Sequence, residues 1–249
     1  MKKNVKIAAL SAILISVFAA EITAKPNYDA NGQTVSFWKE LFVGKQKYVE
    51  YDDVDLQTNN IFQKKQERHS TMIYNPVTKK AGVSTYFETM FFKFVFSEAD
   101  RELIIKAVST YLDDFENKRL IRNANKSTKM YGKGKCFAEF GTVKTMMTHE
   151  ANTTFKAGYR FEKKTPYFVI SVQGAKDEAE NQPGYTVKEF PTVTMYFTRA
   201  QAKDFVAKLN QDQLDTLQRE YEEKISGYQN RVLKEEEDYS TSEKDAYEE

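Results

Sequence analysis

The sequence predicts an α+β protein made of a tandem duplicated unit of about four antiparallel strands followed by one helix (β4α-β4α), with the helices packed on the sheet. Three observations lead to this prediction. The chain carries 18 Phe and 15 Tyr among its 249 residues, and aromatic side chains favour pleated sheet surfaces. Two helix-like segments each follow a group of strand-like runs. Short sequence similarities recur in the same order in the two halves.

The internal similarity rests on two pairs of segments. The segment 47–54 resembles 136–143, and 96–99 resembles 197–200. In both halves a strand-like run precedes the second match and a helix-like run follows it. Because the order and the context agree, we interpret the pattern as a duplication.

The first unit is predicted to span 46–117. Its last strand alternates so that Phe92, Phe94 and Phe96 share one face, as expected when successive side chains point to opposite sides. The predicted strands are at 48–54, 70–74, 82–87 and 90–96.

The helix of the first unit is predicted to begin after Ser97, which has the side chain of an N-cap. Glu98 and Asp100 follow in the first turn, where the helix dipole favours acidic residues. An apolar stripe at helical spacing should lie across the sheet. The stripe consists of Ile104, Ala107, Val108, Tyr111, Leu112 and Phe115.

The second unit is predicted to span 136–228. The polar stretch 174–189 lacks periodicity and is predicted to be a mobile loop. Thr198 is the expected N-cap of the second helix, whose apolar stripe includes Phe205. The predicted strands are at 137–146, 152–161, 167–172 and 193–197.

The two ends of the chain have special compositions. Lysines at the start, an apolar stretch of about a dozen residues at 7–18 and small residues at 22–24 are typical of a signal peptide over 1–24. Its removal leaves no apolar segment long enough to span a membrane. A lead-in segment over 25–45 follows. The tail over 229–249 is rich in acidic residues and is predicted to be disordered. We therefore expect an exported protein, either periplasmic or extracellular.

The residues that usually carry chemistry do not form a familiar motif. Cys136 is the single cysteine, so an internal disulfide is excluded and a half-buried structural role is expected. His69 and His149 lack the spacing of a metal site, and they are expected at the surface or in structural hydrogen bonds. A Cys136–His149 pair is the only nucleophile arrangement suggested, and it is weak. The sequence predicts no enzyme and no cofactor.

A basic linker is predicted to join the two units over 118–135. It contains seven cations and no acid, with Tyr131 among them. Such a segment can bind phosphate or another polyanion. Two other interpretations stay open: a solvated linker, or a surface that the acidic tail covers. The candidate polyanion-binding residues are Lys118, Arg119, Arg122, Lys126, Lys129, Lys133 and Lys135.

The leading functional hypothesis is an exported non-enzymatic binding or envelope-associated protein. Its expected partner is an envelope protein or a glycan, and export argues against nucleic acid. One alternative is a hydrolase-type enzyme whose site is built from scattered residues. The other alternative is a polyanion-binding protein that uses the basic linker.

Overall fold

The computed structural model describes residues 28–35, 46–59, 64–123, 127–142, 148–178 and 188–227. The predicted signal peptide, most of the lead-in segment, Lys126 and the acidic tail lie outside the described residues. The chain divides into two compact units. One comprises Met1–Lys47 with Glu220–Glu249, and the larger one comprises Tyr48–Arg219.

The larger unit is dominated by β-strands. The eight principal strands are β1 (Val49–Asn59), β2 (Lys65–Asn75), β3 (Lys80–Phe87), β4 (Met90–Phe96), β5 (Thr128–Thr142), β6 (Thr148–Glu162), β7 (Thr165–Val172) and β10 (Val193–Phe197). A short hairpin is formed by β8 (Ala175–Lys176) and β9 (Glu189–Phe190). The predicted strand over 90–96 is confirmed residue for residue, and so is the strand over 193–197.

The helical part is small. Helix α1 runs over Glu98–Glu116 and α2 over Arg199–Lys208. A further helical segment, α3, covers 211–227, so α2 and α3 together form one helix bent at 209–210. Within the described residues, no helix is both long and apolar enough to cross a membrane.

The principal strands form one antiparallel sheet that closes on itself in the order β1-β10-β7-β6-β5-β4-β3-β2. Strand β4 pairs directly with β5, from Met90 opposite Thr142 to Val95 opposite Phe137. The closing contact between β1 and β10 is short. It consists of Gln57 opposite Tyr196 and Thr58 opposite Met195.

The predicted tandem of two sheet-plus-helix units (β4α-β4α) is wrong. The β4–β5 pairing makes the strands of both halves members of one eight-stranded sheet. The helices do not lie on two separate sheets, because Val108 of α1 and Phe205 of α2 belong to the same hydrophobic core. The sequence showed which segments are extended, but pairing between distant strands leaves no mark in the local pattern.

Phenylalanine rings fill the inside of the closed sheet. Phe92, Phe94 and Phe96 are fully buried, as the alternation predicted. The rings of Phe96 and Phe155 lie 5.1 Å apart, and those of Phe140 and Phe190 lie 4.8 Å apart. Closed sheets of eight strands leave an interior that side chains can fill.

Both predicted helix starts are confirmed. The Ser97 hydroxyl accepts a hydrogen bond from the backbone of Asp100 at the start of α1. Thr198 forms a capping box with Gln201 at the start of α2. In each case the cap satisfies backbone N–H groups that have no partner inside the helix.

The helices cover strand edges that have no strand beside them. Residues 128–136 of β5 pair with β6, whereas β4 begins to pair only at Phe137. Helix α1 lies along this edge, and the backbone N–H of Lys135 donates to Asp100 at 2.8 Å. The first half of β1 extends beyond its short pairing with β10. There α2 takes the place of a strand, and the Lys208 ammonium group donates to the carbonyl of Asp53.

The smaller unit is described over 28–35, 46–47 and 220–227. Its main feature is a turn in which the Asp29 carboxylate accepts hydrogen bonds from the backbone of Asn31 at 2.9 Å and of Gln33 at 3.0 Å. Gly32 has a φ of +75°, a conformation that glycine adopts with little cost.

Replacing Gly82 in β3 tests the close approach of β3 and β4. A Cβ atom at this position would lie 1.8 Å from the carbonyl oxygen of Phe94. Because backbone atoms cannot give way, we expect Gly82→Ala to lower the free energy of unfolding by about 2–3 kcal/mol in urea titrations. The control is Gly227→Ala, whose Cβ would meet no atom within 4 Å. Equal stability of the two variants would contradict the described packing.

Candidate functional site: a lysine patch on the outer face of the sheet

The structure describes six of the seven predicted cations, and two of them pair with carboxylates. Arg119 and Lys129 are held by carboxylates at the end of α1. Arg119 forms an ion pair with Asp113 and a second one with Asp114 at 2.9 Å. The ammonium group of Lys129 lies 3.8 Å from Asp114. These two cations therefore help to stabilise the end of α1 through ion pairs.

Asp114 is the centre of this ion-pair network. It is buried and accepts a hydrogen bond from the Tyr131 hydroxyl at 2.8 Å. The pKa of Asp114 is lowered first by this hydrogen bond and then by the one from Arg119. Burial and the Asp114 carboxylate raise the pKa of Tyr131. The network ties the start of β5 to the last turn of α1.

The remaining cations have different positions. Lys118 follows the helix end with a φ of +56°, and Arg122 is exposed in the segment that leads to β5. Lys126 lies outside the described residues. Lys133 and Lys135 are exposed on β5, two residues apart and therefore on the same face of the sheet. The segment 118–135 is thus part helix end, part connection and part strand.

Lys156 joins Lys133 and Lys135 on the outer face of the sheet. It lies directly opposite Lys133 in the β5–β6 register and is exposed. Side chains opposite one another in an antiparallel pair have Cβ atoms about 5 Å apart. We call these three residues the lysine patch. In the part of the chain that the structure describes, none of the three forms an ion pair.

Small polar side chains surround the lysine patch. Lys135 is opposite Thr154, and Lys156 is opposite Ser171 of β7. Ser171 is in turn opposite Thr194 of β10, with their hydroxyl oxygens 3.0 Å apart. The result is a row of lysines and hydroxyl groups that runs across four strands.

The carboxylates near the lysine patch have other partners. Asp100 accepts a hydrogen bond from the backbone N–H of Lys135, on the helix side of β5. Glu178 binds both the backbone and the side chain of Asn152, at 2.7 and 2.6 Å. Two lysines directly opposite one another destabilise a sheet. The fold therefore gains no stability from placing Lys133 opposite Lys156.

Lys156 is not among the residues that the sequence predicts for this site. It lies outside the predicted linker, in the strand predicted at 152–161 of the second unit. Its partnership with Lys133 depends on the β5–β6 register, which includes an irregularity between Met130 and Gly132. The alternation of the predicted strand at 152–161 was the one available signal, because it places Lys156 away from the buried Phe155.

A second group of cations lies on the same face, farther along the strands. The ammonium group of Lys65 sits 3.1 Å from the centre of the Tyr167 ring and 4.7 Å from that of Tyr196. Arg160 donates to the Tyr196 hydroxyl at 2.9 Å. Burial lowers the pKa of Lys65 to about 8, and the Glu162 charge opposes this change. Lys65 and Arg160 contact tyrosine side chains, so they are less available than the lysine patch to bind an anionic partner.

His69 lies in an acidic cleft between β1, β2 and α2. Its ring nitrogens lie 3.2 Å from Asp55 and 3.4 Å from Asp53. The cleft has a volume of about 280 Å³ and is also lined by Asp204 and Lys208. The pKa of His69 is raised by Asp55 first and Asp53 next. The resulting stabilisation is complete at acidic pH and is lost as the pH rises through the raised value.

His149 forms a buried hydrogen bond with Asp177 at 2.7 Å. Its ring packs against Phe140, with the ring centres 5.4 Å apart. Asp177 also accepts a hydrogen bond from the backbone of Glu150, so the pair holds the region beside β8 against the start of β6. The sequence analysis placed Asp177 in a polar loop and missed this contact, because a lone acid in a loop gives no sign of a distant partner.

Cys136 is not part of a catalytic pair. It is opposite Thr153, whereas His149 is opposite Phe140, so about 13 Å of strand separate them. Cys136 is buried, with 3% of its surface exposed, which is deeper than the half-buried position that the sequence predicts. Burial raises the pKa of the thiol. Among the described residues, no group of His, Cys, Asp and Glu side chains is arranged to hold a metal ion.

The fold and its sites define an α+β protein with a filled, closed antiparallel sheet and an unneutralised lysine patch on its outside. Residues 28–216 match the model of a family described as "Uncharacterised Treponema protein". The chain belongs to this family. No curated protein and no solved structure matches it.

The Asp114 network predicts a loss of stability in acid. We expect Asp114→Asn to lower the free energy of unfolding by about 1.5–3 kcal/mol at pH 7, because a buried charge-assisted network is broken. The pKa of Asp114 is lowered in the folded state, so its stabilising effect is present above the ordinary carboxyl pKa. It disappears as the pH falls through the lowered value. Urea titrations from pH 7 to pH 3 should therefore show the two proteins converging.

Glu116→Gln is the matched control for this measurement. Glu116 is an exposed carboxylate in the same last turn of α1, and surface changes of this kind alter stability by about 0.5 kcal/mol or less. If Asp114→Asn were as stable as Glu116→Gln at pH 7, the network would have no structural role.

Proposed function

We propose that the protein is an exported, non-enzymatic binding protein that holds an anionic partner on the lysine patch. The observation that carries the proposal is the cross-strand pair of Lys133 and Lys156, with Lys135 beside it. Three exposed ammonium groups without a carboxylate partner in the described residues attract anions. A protein that gained nothing from this patch would be more stable with a neutral or acidic residue at one of the positions.

The filled core supports binding at the surface. Phe92, Phe94 and Phe140 occupy the inside of the sheet and are buried, and the ring centres of Phe92 and Phe94 lie 5.3 Å apart. The outer face, in contrast, offers charges and hydroxyl groups on strands whose backbone is held by strand pairing and, at the free edge of β5, by the hydrogen bond to Asp100 of α1. Such a face needs no rearrangement to receive a partner, which lowers the cost of binding.

The proposal assigns no reaction to the protein. Cys136 is buried with a raised pKa and is therefore a poor nucleophile. The His149–Asp177 hydrogen bond joins the region beside β8 to the sheet, and this is a structural task. The ring nitrogens of His69 are engaged by the carboxylates of Asp53 and Asp55 at the surface of its cleft.

Neutralising the patch tests the proposed binding. We expect Lys133→Gln/Lys156→Gln to bind heparin more weakly than the wild type. The slope of log affinity against log salt should fall by about 2, because two fewer counterions are released. Fluorescence anisotropy with labelled heparin at several salt concentrations provides the measurement.

The matched control is Lys164→Gln/Lys203→Gln, which removes the same charge from exposed positions in the β6–β7 turn and on α2. It should keep the wild-type slope. Circular dichroism confirms that both double variants are folded. Identical slopes for the two double variants would reject the lysine patch as the binding site.

Export is tested separately in the cells that produce the protein. We expect the exported fraction to contain a chain that starts near Lys25, because the signal peptide is removed. A variant that lacks 7–18 should stay inside the cell with its N-terminus uncleaved. N-terminal sequencing of both fractions makes the measurement, and an intracellular wild-type chain that still begins at Met1 would contradict the proposal.

A further inference from the structure

We infer that the partner of the lysine patch is a linear acidic polysaccharide. This inference rests on the proposed function and narrows it from anions in general to one class of polymer. It follows from the shape of the patch, from the hydroxyl groups around it and from the state of the nearby aromatic rings.

The shape of the patch fits an extended chain. Lys133 and Lys135 are two residues apart on one strand, which separates them by about 7 Å along β5. Lys156 extends the charge across to β6. The cations therefore spread along two strands of the outer surface of the closed sheet and do not converge on one point. A single small anion would contact one or two of them, whereas a polymer with repeated charges contacts all three.

The hydroxyl groups fit a sugar chain. The row from Lys156 continues through Ser171 to Thr194, and Thr154 lies beside it. Hydroxyl groups donate and accept hydrogen bonds, so they match the hydroxyl groups of a saccharide between its charged positions. The ammonium groups of Lys133 and Lys156 would bind the carboxylates or sulfates.

The aromatic rings do not fit a single-stranded nucleic acid. Proteins bind such strands by stacking bases on open ring faces. On this half of the outer face, Tyr196 is fully buried and Lys65 covers the Tyr167 ring at 3.1 Å. Phe137 packs against the Tyr48, Ile73 and Val95 cluster. The rings beside the patch are therefore partly covered by other side chains, which leaves little ring surface on which a base could stack.

The exposed Tyr86 does not change this conclusion. It is 48% exposed and is opposite Phe91, which is opposite Gly141. Gly141 lies six residues from Lys135 along β5, a distance of about 20 Å. A base stacked on Tyr86 would not bring its phosphate to the patch.

The test compares polymers of different chemistry on the full protein. Anisotropy titrations use fluorescent oligogalacturonate (carboxylates), a heparin decasaccharide (sulfates and carboxylates) and oligo(dT) (phosphodiesters), at matched charge and the same salt concentration. We expect at least one of the two saccharides to bind tenfold or more tightly than oligo(dT). The two saccharides distinguish carboxylate from sulfate as the preferred charge.

A hydroxyl variant provides a second measurement. We expect Ser171→Ala/Thr194→Val to weaken saccharide binding about fivefold, because hydrogen bonds are lost while the charge is kept. Binding of oligo(dT) should not change. Urea titration checks the stability of this variant, and the single variant Thr194→Ser, which keeps the hydroxyl, should bind as the wild type does.

The possible failures are distinguishable. If none of the three polymers binds, the proposed function itself fails. If all three bind and oligo(dT) binds as tightly as both saccharides, the proposed anion binding stands and the polysaccharide inference is overturned. Equal losses of saccharide and oligo(dT) binding in Ser171→Ala/Thr194→Val would also overturn it.

Discussion

The structure depends on how the backbone groups at the ends of an eight-stranded sheet are satisfied. Two residue pairs close the sheet between β1 and β10, and both β1 and β5 extend beyond the strand on one side. An unpaired edge exposes backbone donors and acceptors and invites association with other chains. Helices α1 and α2 cover these edges, and Asp100 and Lys208 supply the hydrogen bonds that a strand would have made. The helices are therefore part of the closure as well as of the core.

This closure decides which surfaces remain for function. Along each strand of a closed sheet, every second side chain points toward a single interior. Here phenylalanines fill that interior, and the helices cover the parts of β1 and β5 that extend beyond a neighbouring strand. Large rings that contact each other at 4.8–5.1 Å leave the strands rigid, since a packed core resists rearrangement. The outward side chains of β5, β6, β7 and β10 are then held at fixed spacing. In the proposed binding mode, this outer face contacts a partner through the position of its charges and does not enclose it.

The Asp114 network explains why a run of basic residues is not a uniform binding surface. Arg119 and Lys129 pair with the buried carboxylate of Asp114 and fix the start of β5. Their charges therefore serve the fold and are less available to a partner. Lys133 and Lys135 come after this anchor, on a strand whose register gives them Lys156 as a third neighbour. The same basic segment thus contributes first to stability and then to the proposed binding surface. A count of charges along the chain does not distinguish Arg119 and Lys129 from Lys133 and Lys135. The hydrogen bonds and ion pairs of the folded protein do.

The sequence by itself determined the local elements: the strand from Met90 to Phe96, the buried face of its phenylalanines and the caps at Ser97 and Thr198. These depend on alternation and on short-range hydrogen bonds, which neighbouring residues specify. Only the tertiary structure decided that both halves share one closed sheet and that Lys156 lies opposite Lys133. Strand register and closure are contacts between residues far apart in the chain, and their energy comes from pairing and packing that no local pattern encodes. The predicted tandem units failed for this reason, although most of their strands were correctly located.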